Sequence, residues 1–141
     1  MRIDPTSGLL TLVGSTTLGE RVTSVDVAPG GQRWAVGTIS GQVYIYEIVG
    51  NQLTRRWSGP TGGDLWDLAF SDPNTLYTVG VTSNRVAAFD LSAGNFRQTA
   101  AWTISGERST RSIIIVPGVG KTFLIVSEFN GNRTWVLSAT P

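Results

Sequence analysis

The chain has 141 residues, with 11 basic side chains against 10 acidic ones, a formal net charge of +1, and neither His nor Cys. That balance creates no bulk field for nucleic acid or an anionic membrane surface. The missing Cys removes disulfides, thiol catalysis and cysteine metal sites together.

In chain order, residues 2–4 read as the tail of a strand and 9–15 as a second strand. Val22, Val25 and Val27 then open a series of short runs rich in Val, Ile, Thr and aromatics, first reversed at Ala28-Pro29-Gly30-Gly31. The series returns as strands predicted at 65–70, 75–79, 85–91 and 95–101, with Ser71-Asp72-Pro73-Asn74 as the turn between the first two. Strands at 111–116, 121–127 and 134–138 end the chain. No apolar period of 3.6 persists, so the expected class is all-β with no helix beyond a stray turn.

The series is a repeat. An offset of 43 puts Ile3 on Tyr46 and Phe89, Val25 and Val27 on Leu68 and Phe70, and Trp34 on Tyr77. At an offset of 46 a further copy places Ile114, Val116, Phe123 and Ile125 in the series, with Val136 in the place of Phe89 after one more residue is inserted. Four antiparallel strands per period of this length match one propeller blade, and a β-sandwich is the competing arrangement. The phase divides the chain into 1–18 (a strand end and an outer strand), 19–61, 62–106 and 107–141 (three inner strands).

The strand endings Ile3-Asp4, Tyr46-Glu47 and Phe89-Asp90 sit where WD-repeat propellers carry Trp-Asp, and residues 3–15 resemble a linker of lactonase-like propellers. The resemblance covers nearly the whole chain and implies a β-propeller fold of three degenerate blades. It implies no activity, and Trp66-Asp67 stands in the first strand of its copy rather than at the WD position.

Three blades are too few for a ring, and the two ends of the chain are out of phase. The expectation is therefore a homodimer that closes a six-bladed ring by exchanging its amino-terminal strand, burying more than roughly 2,000 Å². Such an assembly reads as a non-enzymatic interaction module whose partners are itself and a protein or peptide at the ring rim. No cofactor, metal, nucleic acid or membrane is expected. No basic segment followed by an apolar stretch opens the chain, which reads as a cytoplasmic protein.

Loops sharing one rim supply the candidate binding residues Trp66, Arg21, Asp64, Arg85, Arg108, Arg111, Glu128, Phe129 and Arg133, with Glu20 and Glu107 beside them. Arg suits bidentate contacts, Trp66 follows a Gly-rich crossover, and Phe129 is a candidate anchor. A solvated rim with internal ion pairs is the plain alternative. Trp34, Trp57 and Trp135 read as packing residues. A sugar or small-molecule binder with paired sites, and a lactonase-like hydrolase using carboxylates such as Asp26, Asp67 and Glu128, remain the other functional readings. Gly118-Val119-Gly120-Lys121-Thr122 lacks the first Gly and the helix of a phosphate loop, and Asn132-Arg133-Thr134 is a chance sequon.

Overall fold

A computed structural model describes residues 2–3, 10–11, 15–50, 52–105, 110–128 and 132–139. These form thirteen strands and one 3-10 turn, Ser92–Gly94, and no α-helix. A two-stranded hairpin of β1 (Arg2–Ile3) and β2 (Leu10–Thr11) stands apart from three larger antiparallel sheets. The first sheet runs β3 (Val22–Val27), β4 (Arg33–Thr38), β5 (Gln42–Val49) and β6 (Gln52–Pro60). The middle sheet runs β7 (Asp67–Asp72), β8 (Thr75–Val79), β9 (Arg85–Asp90) and β10 (Arg97–Thr103). The third holds β11 (Thr110–Gly118), β12 (Lys121–Glu128) and β13 (Thr134–Ala139). Every large sheet is a meander in which sequence neighbours pair, as short turns require.

The three sheets stack through their first strands. β7 lies between β3 and β11, and two apolar cores fill the spaces on either side of the middle sheet. One gathers Ala35, Val43 and Ile45 of the first sheet against Leu68, Phe70, Leu76 and Phe89. Trp57 closes its outer edge together with Phe96, whose ring stacks on Phe89 at 4.5 Å. The other core gathers Tyr77, Val79, Val86 and Ala88 against Ile113, Leu124 and Val126, with Trp135 and Leu137 packed on it. The alternation of a strand is what lets β7, β8 and β9 serve both cores at once.

Two registers differ from the ungapped repeat. Tyr77 faces the third sheet, whereas Trp34 sits on the opposite kind of face, paired with Tyr46 as Leu76 is with Phe89. Residues 28–33 separate the paired Val27 and Trp34, but only 71–75 separate Phe70 and Leu76. The longer turn shifts β4 by one residue, and a one-residue shift exchanges the faces of a strand.

The second difference lies in β11 to β13. Ile113 and Leu124 point into the core, with Ile115 and Leu137 packed against it, so the alternate set Ile114, Val116, Phe123, Ile125 and Val136 lies on the outer face. Residues 113–116 are apolar throughout, so a period of two does not distinguish their faces.

The crossovers between sheets pack on the loops between second and third strands, so these loops do share one end of the molecule. Thr61 donates through its N–H and Oγ1 to the Gly41 carbonyl, and the Ile104 N–H donates to the Asn84 carbonyl. Gly41 has φ +83°, and a Cβ there would run into the Gly63 carbonyl oxygen, so the contact requires Gly. Among the described residues, no helix is long and apolar enough to cross a membrane.

Candidate functional site

The inner strands carry short polar side chains that cross from sheet to sheet. Ser24 and Asp67 occupy matching positions of β3 and β7, and Ser112 takes that place in β11, next to the core-facing Ile113. Asp67 Oδ1 accepts from Ser24 Oγ at 2.6 Å and from the Leu68 N–H at 2.9 Å. Its Oδ2 accepts from Ser112 Oγ at 3.1 Å and the Ile113 N–H at 3.0 Å. Asp26 makes the same kind of bridge one level further along, where Oδ2 accepts from the Phe70 N–H at 2.8 Å. Edge N–H groups that an open strand would leave to solvent are thereby satisfied by the neighbouring sheet.

At the loop end of these strands three of the sequence candidates converge. The guanidinium carbon of Arg21, just before β3, lies 5.4 Å from the centroid of a Trp66 ring. That of Arg111, in β11, lies 4.8 Å from a Trp66 ring as well. Trp66 precedes β7 and is held by its own N–H, which donates to the Val79 carbonyl at 2.8 Å. Each sheet thus contributes one member of an arginine, tryptophan, arginine cluster, and the indole face attracts both cations.

The other candidates are employed within their own loops. Asp64 accepts from the Val81, Thr82 and Ser83 N–H groups at 3.0, 2.9 and 3.1 Å, which ties the crossover to the turn before β9. Desolvation raises its carboxyl pKa, but hydrogen bonds from Thr82 and Ser83 outweigh that, and the net direction is down. Arg85 donates to the Gly62 carbonyl at 3.2 Å and to Gln98 Oε1. Glu128 accepts from Trp135 Nε1 at 2.8 Å, and its N–H reaches the Arg133 carbonyl, while the Arg133 residue is exposed. Arg108 and Phe129, like Glu107, lie outside the described residues.

Glu20 turns away from Arg21 toward hydroxyls. It accepts from Ser40, from Thr38 Oγ1 at 2.9 Å and from the Tyr44 hydroxyl at 3.2 Å. Those bonds, Ser40 first, hold its carboxyl below the usual range. The acids at the third-strand ends are capped in both complete copies. Glu47 accepts from Arg33 and Arg56, and Asp90 from the Ser92 N–H and Arg97, with the Ser92 bonds chiefly lowering the Asp90 pKa to about 2.

Sequence reasoning missed Arg33. Its guanidinium lies 5.0 Å from the Trp57 ring centroid and donates to the Pro73 carbonyl at 2.7 Å and Asn74 Oδ1 at 2.9 Å, pinning the first sheet to the β7–β8 turn. A cleft of about 310 Å³ opens beside it, lined among others by Gln32, Glu47 and Ile48. The sign that could have found Arg33 was its place opposite the strand-end acid Glu47. Among the described residues, no group of three or more acidic side chains gathers to hold a metal ion.

No protein-family model matches the chain, and no curated protein matches it.

Proposed function

We propose that the chain is a non-enzymatic β-propeller half that closes on a second copy into a six-sheet ring and serves as an assembly and binding platform. One observation carries this reading. Leu68 and Phe70, which face the first sheet, are 3% and 6% exposed, whereas their repeat equivalents Val25 and Val27 are 53% and 38% exposed. At the far end, Ile114 and Val136 on the outer face of the third sheet are 58% and 65% exposed. The two open faces are of the kinds that already pack together inside the molecule, a first-strand face against the back of a preceding sheet. A second copy offers the complement to each face at once, which is the isologous arrangement of a twofold dimer.

Two further features support the same reading. β13 is an edge strand among the described residues, and the β1–β2 hairpin joins none of the three large sheets. Strand exchange would bring β2 beside β13 of the second copy, releasing the Arg2↔Thr11 and Ile3↔Leu10 pairs within the hairpin. The loop end, where the inter-sheet loops gather, is then the contact face of the ring.

Light scattering on a sizing column tests the proposal. The expected mass is twice that of one chain, and Val27→Glu and Ile114→Glu should each leave a single-chain species. A monodisperse single chain for the unaltered protein overturns it. Deletion of residues 1–15 that keeps both mass and melting temperature removes strand exchange but leaves face-to-face closure standing.

A further inference from the structure

We propose that Ala100 and Trp102 of β10, beside the free edge of β13, form the seat for β2 of a second copy, and that their sizes select which strand is accepted there. The inference rests on the second-copy reading above and adds to it the side chains that choose the incoming segment.

The pattern is set where the outer strands of the first two sheets meet. Trp57 and Gly59 of β6 lie opposite Ile45 and Val43, and residues opposite one another share a face, so both stand on the side turned to the middle sheet. Phe96, just before β10, packs against them, and a Cβ on Gly59 would run into its ring. A large opening side chain is thus matched to a glycine.

Ala100 and Trp102 stand 43 residues after Trp57 and Gly59, opposite Ala88 and Val86, on the side turned to the third sheet. Small and large have changed places. Among the described residues no strand lies beyond β13, and Trp102 is left 38% exposed. Trp135 and Leu137 of β13 pack on the same core, so a strand added to that edge would close a wall already apolar on two sides. Backbone groups of an open edge hold an added strand, and the side chains beneath it decide which strand fits.

The repeat names the occupant. Leu10, the first residue of β2, stands at the place of Leu53 and Phe96. A leucine needs no glycine beneath it, whereas a phenylalanine at that place would meet the Trp102 indole. β6, the other strand with leucine there, is already paired with β5. The seat therefore rejects an aromatic opener and admits β2, which is selection by exclusion as much as by contact.

The chain has no Cys, so one engineered pair reports one contact. Leu10→Cys with Trp102→Cys places thiols at the equivalents of Phe96 and Gly59, and oxidation of the dilute full chain should give a covalent species of twice the chain mass that neither single variant gives. A size exchange tests the same seat without a cross-link. Leu10→Phe should raise the dimer dissociation constant by about tenfold or more, and adding Trp102→Gly, which copies the Phe96 and Gly59 match, should recover most of that loss. Twice the chain mass for the unaltered protein, with no cross-link between copies or with a disulfide closed inside one chain, overturns the seat and leaves ring closure standing. A dissociation constant unmoved by Leu10→Phe, or a loss that Trp102→Gly only deepens, overturns it as well. A single-chain mass for the unaltered protein removes the second-copy reading and the seat with it.

Discussion

The middle sheet and the two sheets flanking it are built from the same strand pattern but live in different environments. The middle one is covered on both faces, and its β8 and β9 strands bury nearly every residue. β3 leaves all three of its valines exposed, and β11 exposes Ile114 and Val116, the alternate members of its apolar run. The lesson is that a repeat unit of this kind satisfies only half of its needs within itself. Each sheet supplies its neighbour with a wall, and it also supplies the Ser or Asp oxygens that satisfy the neighbour's first strand. Stability should therefore be greatest at the centre and least at the two ends, as in other stacked repeats.

The largest expected contrast compares equivalent positions of that wall. Phe70→Ala should cost about 4 kcal/mol at any protein concentration, because it empties a core position. Val27→Ala should cost about 1 kcal/mol, and its effect on the melting temperature should shrink on dilution if a second copy covers it. Urea unfolding across a hundredfold concentration range reads both. Equal, concentration-independent losses would break the contrast.

Next come the bridges. Asp67 joins three sheets while Asp26 joins two, so Asp67→Ala should cost about 3 kcal/mol and Asp26→Ala about half of that. Amide exchange sharpens the comparison. Protection of Leu68 and Ile113 should fall in the first variant, and that of Phe70 in the second.

The smallest effect is the pH response of the loop end. Asp64 has a folded-state pKa below its ordinary value. Its contribution is fully present above the unfolded pKa of about 3.9 and is lost as pH falls through the depressed folded value. Melting temperatures followed from pH 7 toward strong acid should therefore drop less steeply below pH 4 in Asp64→Asn than in the unaltered protein. Parallel curves would show that the 81–83 turn does not depend on the charge.

Much of the architecture was legible in the residues. Turn-forming Pro, Gly, Asn and Asp at regular intervals mark the reversals at 28–31 and 71–74, and the 75–79 strand falls where the alternation placed it. The candidate site was legible in part. Arg21, Trp66 and Arg111 each follow or border a crossover, which marks them as end-of-strand residues, but nothing in their spacing says that all three share one indole. Asp67 was the clearest omission as a structural centre. Part of its signal was present in Ser24 and Asp67, 43 residues apart, but the offset of 46 puts Ile113 rather than Ser112 at that place, and only the folded register brings Ser112 there.

By itself, the sequence determined strand content, the position of turns and the period of the repeat, because these follow from local backbone preference and from apolar alternation over a few residues. Tertiary structure decided which face of β4 and of β11 turns inward. In 113–116 both faces are apolar, so only the reach of Asp67 to Ser112 and Ile113, and the packing of Ile113 and Leu124 on the middle sheet, select one of them. It also decided the gathering of two arginines on Trp66, since contacts across some 45 residues form only after the sheets have stacked.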